Sequence, residues 1–170
     1  MKNFRTYLPE FVYGGIDGIV TTFAIIASAV GAELNTTIIL ILGFANLFAD
    51  GFSMAASSYL ARSSEINGNE DHSNAHKLPL PTAITTFIAF NLVGFVPLAF
   101  YVLAPYISFL KYNTFAVAIV GTAITFILIG LIKGYVTGRN KLYAALQTLI
   151  VGGAASAIAY YVGAYLKHLA

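Results

Sequence analysis

Two aspartates lie inside stretches of the sequence that are otherwise apolar. Asp17 lies in YGGIDGIVTTF and Asp50 lies in NLFADGFSMAASSYL. An aspartate at the centre of a membrane helix costs about 2.5–3.5 kcal/mol on insertion scales, and such residues usually have a partner or face a water-filled path. The basic residues lie at the ends of the apolar stretches, where they do not neutralise these acids. Protonation, hydrogen bonds or an external cation remain, which points to protons or metal ions.

Other possible ligands follow both stretches at helical intervals. Asn46, Asp50 and Met54 recur every four residues and form one stripe on a helix, while Glu10 and Asp17 are seven residues apart and share a face. Carboxylate and amide oxygens suit hard or borderline divalent ions, and a thioether favours iron over magnesium or calcium. Residues that could support such a path are Gly14, Gly15, Gly18, Thr21, Ser53 and Ser57. The glycines would allow close helix approach, or local unwinding that frees carbonyl groups for a cation.

Each of these residues also has a structural interpretation. The two aspartates and Asn46 could be hydrogen-bonded staples between helices, and Met54 could fill space in the core. Glu10 lies at the start of a helix, where the dipole favours an acid. The glycines could serve packing alone.

A polar stretch, RSSEINGNEDHSNAHKLPLP, follows the second aspartate. It predicts either a solvated loop or a weak patch that collects cations. The residues of that patch would be Glu65, Glu70, Asp71, His72 and His76.

The composition predicts a membrane protein. Of the 170 residues, 58% are hydrophobic and 9% are charged, whereas a soluble domain has about 25% charged residues. The chain has no cysteine, which excludes disulfides and thiolate metal sites, and its net charge of +2 is too small to indicate nucleic acid.

Five apolar spans are long enough to cross about 30 Å of hydrocarbon as helices. A single transmembrane domain over residues 1–170 is expected, with a polar cytoplasmic loop at 62–81. The predicted helices are 11–32, 36–61, 82–106, 113–132 and 143–166. Seven of the nine Lys and Arg residues fall on one side, which predicts a cytoplasmic N-terminus and a C-terminus outside or in a lumen. The first span is too long for a signal peptide and is interpreted as a retained helix.

Three segments carry a resemblance to a known family. EFVYGGIDGIVTTFAIIASAVGA, NLFADGFSMAASSYLA and LIKGYVTGRNKLYAALQTLIVGGAASAIAYYVG resemble helices of the vacuolar iron transporter family, which includes yeast-type iron and manganese carriers. The resemblance covers most of the chain. It implies a five-helix homodimer that carries Fe²⁺, and often Mn²⁺, out of the cytosol in exchange for protons along the dimer interface.

The resemblance also implies roles for particular residues. Asp17 and Met54 match the central ligands, supplied once by each subunit, and Glu10 matches an acid nearer the cytoplasmic mouth. Well-studied plant members have a glutamate at the position of Asn46, and we infer that Asp50, one turn further, substitutes for it. Those members also have a glutamate-rich cytoplasmic domain between the second and third helices, which is replaced here by about 20 residues.

The expected function is therefore export of Fe²⁺ or Mn²⁺ coupled to H⁺, with no permanently bound cofactor. Asp17 is expected to couple the two ions, with Asp50 second. The expected partners are divalent metal ions, the lipid bilayer and a second copy of the chain, but no nucleic acid. The alternative is a non-transporting scaffold or regulatory subunit. No enzyme-like constellation is present in the spans, and the compact form favours a prokaryotic plasma membrane over an organelle membrane.

Overall fold

The computed structural model describes residues 6–68 and 77–169. All regular secondary structure in these residues is helical, in five long helices. They are α1 (Leu8–Gly31), α2 (Thr36–Gly68), α3 (Pro79–Leu103), α4 (Ser108–Thr137) and α5 (Lys141–Leu166). By length and composition, each of the five can cross a membrane. The prediction of an all-α integral membrane protein with five transmembrane helices is confirmed.

Three helix boundaries differ from those predicted by five residues or more: the end of α2 and both ends of α4, which continues to Thr137 instead of ending at 132. α2 continues past Ala61 to Gly68, so the first part of the expected loop at 62–81 is helical. Arg62 and Glu65, three residues apart, form an ion pair there, which supports a polar helical turn. α4 begins at Ser108, and its backbone leaves helical geometry at Asn113, where φ is −127°. The apolar sequence therefore identified the central part of each of these helices. The helices themselves continue beyond it into polar residues.

The connections at three helix ends are short and locally specified. The side chain of Asn35 accepts a hydrogen bond from the Ile38 amide at 3.0 Å, at the start of α2. Asn140 does the same for the first turn of α5. Gly138, with φ of +65°, ends α4 in the left-handed conformation that glycine adopts without strain. The start of α1, the end of α2 and the start of α3 lie on one side of the bundle, where residues of all three line one cavity.

α1 is the central helix and packs against all four others. Ile19, Thr22 and Ile26 are completely buried in its middle. One close approach is to α3: a Cβ atom built on Gly18 would lie 2.3 Å from the carbonyl oxygen of Phe90. The backbones meet because neither helix has a side chain between them at this point.

α2 packs mainly on α1 and α3 and leaves much of its surface uncovered. One uncovered side is apolar and includes Phe48 and Phe52, as expected for contact with lipid. Another side is polar and includes Asp50, Ser53 and Ser57, all exposed in the single chain. On a helical wheel this polar face is well separated from the two phenylalanines.

Candidate ion pathway

A cavity of about 580 Å³ opens near the start of α1 and the α2–α3 connection. We call it the Glu10 cavity. It is lined by Glu10, Tyr13, Met54, Ser58, Ala61, Arg62, Glu65, Lys77, Thr82 and Thr86. Its wall thus holds two carboxylates, a thioether and two basic side chains.

A second cavity, of about 600 Å³, opens at the other end of the same two helices. We call it the Asn46 cavity. Its lining residues are Ile25, Ser28, Ala29, Ala32, Leu34, Leu42, Ala45, Asn46, Ala49 and Asp50. Apart from Ser28, Asn46 and Asp50, the wall is formed by apolar side chains.

The two cavities approach each other at the middle of α2. Asp50 lines the Asn46 cavity and Met54, one turn further, lines the Glu10 cavity. Asp17 lies half-buried on α1, and its carboxylate and that of Asp50 are close enough to repel each other electrostatically. The structure therefore places Asp50 and Met54 on successive turns of α2 where the two cavities come near each other, with Asp17 near Asp50 on the neighbouring helix. Met54 also packs against the core of the bundle, so its structural and ligand interpretations are compatible.

Asn46 joins α2 to α1 by hydrogen bonds. Its amide nitrogen donates to the hydroxyl oxygens of Thr21 at 3.3 Å and Thr22 at 3.2 Å. The Thr21 hydroxyl in turn donates to the Asp17 carbonyl oxygen at 2.8 Å. The side-chain amide nitrogen of Asn46 therefore joins α2 to α1. The side-chain carbonyl oxygen of Asn46 is the atom suited to bind a cation in the Asn46 cavity.

The three predicted supporting glycines lie on the packed side of α1. Gly14 and Gly18 abut the backbone of α3, and Gly15 abuts the Val93 side chain. α1 is a continuous helix through all three. Of the two roles expected for them, close packing fits the structure, and local unwinding does not occur.

Ser53 and Ser57 lie on the exposed polar face of α2, beside Asp50. No group of three or more His, Asp or Glu side chains that could hold a metal ion occurs in residues 6–68 and 77–169. Within those ranges, a single chain offers separate oxygen ligands along a path and no closed metal centre.

Glu10 forms an ion pair that was not predicted from the sequence. The Lys77 ammonium lies 2.7 Å from Glu10 Oε1, across the mouth of the Glu10 cavity. Glu10 is also an acid in the first turn of α1, as the dipole argument expects. The Lys and Arg distribution places Lys77 on the same side of the membrane as the start of α1, which allows the pair, but no local pattern specifies it.

The expected cation patch of the polar stretch is described only in part. Glu65 lies on the last turns of α2 and pairs with Arg62. Glu70, Asp71, His72 and His76 lie outside the described residues.

Comparison with known proteins identifies relatives across almost the whole chain. A vacuolar iron transporter of Plasmodium berghei (strain Anka) is 25% identical over an alignment that covers 96% of this chain and 83% of the relative. Vacuolar iron transporter 1 of Arabidopsis thaliana is 24% identical, with 94% and 86% covered. Vacuolar iron transporter homolog 4 of the same plant is 30% identical, with 86% and 77% covered.

The alignments also bear on the connection between α2 and α3. The alignment with the Plasmodium protein spans 231 positions, so that relative contains residues that this 170-residue chain lacks. A family model described as the VIT family matches residues 8–77 and 67–164. The two matched segments overlap at residues 67–77, in the connection between α2 and α3. This is the position at which plant members of the resembled family were expected to have an additional cytoplasmic domain that this chain does not have. Because the match includes all or nearly all of each of the five helices, the chain belongs to the VIT family.

Proposed function

We propose that this protein is a transporter that moves divalent metal ions out of the cytosol in exchange for protons. The observation that carries the proposal is that two cavities are lined by successive turns of α2, one at Asp50 and the other at Met54, with Asp17 near Asp50 on α1. The cavities open at opposite ends of α1 and α2, so an ion could enter from one side of the membrane and leave on the other. Membership of the VIT family supports metal transport as the general activity.

The ligands between the cavities favour iron and manganese as cargo. Asp17 and Asp50 supply carboxylate oxygens, and Met54 supplies a thioether sulfur, which prefers Fe²⁺ to harder ions such as Mg²⁺. The relatives named as iron transporters agree with this choice. The metal ion is cargo on this proposal and is released again after each passage.

Proton coupling follows from the chemistry of carboxylates in a membrane. No Lys or Arg lies in the middle of a span, so Asp17 and Asp50 are stabilised by either a metal ion or protons. A site that binds either a metal ion or protons, and never both at once, exchanges metal ions for protons. Protons arriving from the far side then release the metal ion there, and binding of a cytosolic metal ion releases the protons.

A homodimer would complete the pathway. The polar face of α2, with Asp50, Ser53 and Ser57, is uncovered in the single chain. Exposing an aspartate to hydrocarbon costs about 2.5–3.5 kcal/mol, so a covered state is strongly favoured. A second copy of this face, related by a two-fold axis, would cover it and supply every ligand twice. Doubling also compensates for the absence of a three-residue metal cluster within the described part of one chain.

The membrane in which the protein works is proposed from its relatives. The relatives from Plasmodium berghei and Arabidopsis thaliana are named as vacuolar iron transporters. They do not support the prokaryotic plasma membrane that the compact form led us to expect. Export across an organelle membrane, from cytosol to lumen, fits the relatives and the predicted cytoplasmic N-terminus.

The proposal is tested with purified protein in liposomes. We would impose a pH gradient, acidic inside, and measure uptake of Fe²⁺ and of Mn²⁺ by wild type and by Asp17→Asn. Glu33→Gln is the matched control, since it makes the same chemical change at an exposed carboxylate in the α1–α2 connection. Size-exclusion chromatography would establish that each variant remains folded.

We expect wild type and Glu33→Gln to take up metal ions only when the gradient is present. Asp17→Asn should reduce uptake by at least about tenfold, because it removes a ligand and a proton acceptor while leaving the side-chain volume unchanged. Folded wild type that moves neither ion would contradict the proposal and favour a scaffold. Full activity in Asp17→Asn would remove the coupling role of Asp17.

A further inference from the structure

The Glu10 cavity contains a built-in positive charge at the place where a metal ion would first bind. The Lys77 ammonium donates to Glu10 Oε1 at 2.7 Å. Both side chains are mostly buried, with 27% of Lys77 and 18% of Glu10 exposed. A charge-assisted hydrogen bond in such surroundings is stronger than a surface ion pair.

Only half of the Glu10 carboxylate is used by this pair. Its other oxygen, Oε2, is buried and has no hydrogen-bond partner among the described residues. A buried acceptor without a partner is unfavourable. A divalent ion entering the cavity could bind both oxygens, which the single ammonium does not do.

The backbone of Lys77 is held in place independently of its side chain. Arg62 Nε donates to the Lys77 carbonyl oxygen at 2.9 Å, and the amide of the next residue, Leu78, donates to the Tyr7 hydroxyl at 3.1 Å. The flexible four-carbon stem can therefore swing while its origin stays at the mouth of the cavity. A displaced ammonium would remain close enough to return.

We propose that Lys77 is a tethered cation that occupies Glu10 when no metal ion is bound, and that an incoming divalent ion displaces it. This inference rests on the proposed function and adds a selectivity step to it. A doubly charged ion is attracted to the carboxylate about twice as strongly as a singly charged one at equal distance. Na⁺ and K⁺ carry the same charge as the tethered ammonium and do not displace it, whereas Fe²⁺ or Mn²⁺ is attracted strongly enough to do so, at the expense of some affinity for the metal ion.

The alternative role for the pair is purely structural, as a staple between α1 and the start of α3. The two roles predict different results. If the pair is only structural, removing it should lower thermal stability and leave the affinity for metal ions unchanged. A tethered cation lowers metal affinity in the wild type, so its removal should tighten metal binding.

The experiment uses the full chain and Mn²⁺ as the probe. We would measure the Kd for Mn²⁺ by equilibrium dialysis of detergent-solubilised protein, and the KM for Mn²⁺ in proteoliposomes. The variants are Lys77→Gln, and Lys77→Met as a second neutral replacement should the first fail to fold. Lys77→Arg keeps the charge. Lys141→Gln is the control, since it removes a lysine on the same side of the bundle whose ammonium lies over the Tyr135 ring, 5.5 Å from its centroid.

We expect either neutral replacement of Lys77 to lower both Kd and KM by about three- to tenfold, with the maximal rate maintained. Lys77→Arg should behave like wild type, and Lys141→Gln should change either constant less than twofold. Unchanged or weaker Mn²⁺ binding in the neutral variants, or no measurable binding in any protein, would overturn the inference. An equal effect of Lys141→Gln would also overturn it, since net charge alone would then explain the change. Wild type that binds Mn²⁺ without transporting it would sink the proposed function, while the Kd values would still decide the role of Lys77.

Discussion

Replacing Gly18 by alanine should loosen the contact that holds α1 against α3. The added Cβ would lie 2.3 Å from the Phe90 carbonyl oxygen and 2.9 Å from two further backbone atoms of Phe90. Ordinary van der Waals contact for a Cβ begins at 3.4 Å. The obstacle is backbone, which has no alternative rotamer, so the two helices must separate by about 1 Å at this point.

The expected loss of stability can be bounded from this geometry. Overpacking of this kind costs about 1–3 kcal/mol. The better helix propensity of alanine offsets up to about 1 kcal/mol of that cost. Gly153 provides the matched control, because it lies inside α5 and a Cβ there would meet no atom within 4 Å. Gly153→Ala should therefore be neutral or slightly stabilising.

The assay is thermal unfolding of both variants and wild type in the same detergent, followed by far-ultraviolet circular dichroism. For a chain of this size, about 1 kcal/mol corresponds to about 2–4 °C in Tm. We expect Gly18→Ala to lower Tm by several degrees. Because Asp17 is the adjacent residue, metal uptake by Gly18→Ala should also fall below that of Gly153→Ala.

Equal Tm values for Gly18→Ala and wild type would refute the close approach of α1 and α3. A comparable loss in Gly153→Ala would point instead to a general intolerance of side chains in these helices. Either result would remove the packing role assigned to the glycines of α1.

Two further predictions concern polar contacts. The Lys167 ammonium, 2.6 Å from the Glu33 carboxylate, lowers the pKa of Glu33 below its ordinary value of 4.5. A depressed pKa stabilises the fold above the unfolded-state value, and the benefit is lost as the pH falls through the folded-state value. Glu33→Gln should therefore lower Tm slightly at pH 7. Thermal unfolding across pH should show the difference from wild type shrinking once the pH falls below about 4.5 and disappearing below the folded-state pKa of Glu33. A difference that does not shrink with falling pH would contradict the ion pair. Asn46→Ala removes the hydrogen bonds to Thr21 and Thr22, and hydrogen bonds between membrane helices average about 0.6 kcal/mol each. We therefore expect thermal unfolding to show a Tm loss of a few degrees. An unchanged Tm would mean that the Asn46 amide does not join the two helices.

The five helices could be predicted from sequence because the hydrocarbon core requires long apolar segments. The apolar length identifies the part of a helix that lies in hydrocarbon, but it does not predict how far the polar ends of the helix extend. α2 was therefore predicted to end at Ala61, although hydrogen bonding continues to Gly68. The start of α4 was misplaced for a related reason, since Asn113 marks an interruption in a helix that begins at Ser108.

The candidate site was predictable to the extent that helical spacing determines it. The interval of four residues from Asn46 to Asp50 to Met54 defined one face of α2, and the structure places all three along the two cavities. Contacts between distant segments were not predictable in the same way. The partners of Asn46 on α1 and the Lys77 contact to Glu10 depend on how the helices pack, which no local spacing reveals.

The central position of α1 has a consequence for biosynthesis. Of the five helices, α1 leaves the ribosome first, yet a Cβ on its Gly31 would lie 2.2 Å from the carbonyl oxygen of Tyr160, on the helix that leaves last. At about 5–20 residues per second, those partners are separated by on the order of ten seconds of translation. During that interval Asp17 waits in a helix whose packing surface is incomplete, and α2 brings the first hydrogen-bonding neighbour. α1 and α2 are thus best released into the lipid together as a hairpin, and any delay between them would leave α1 open to capture by the quality-control machinery of the membrane.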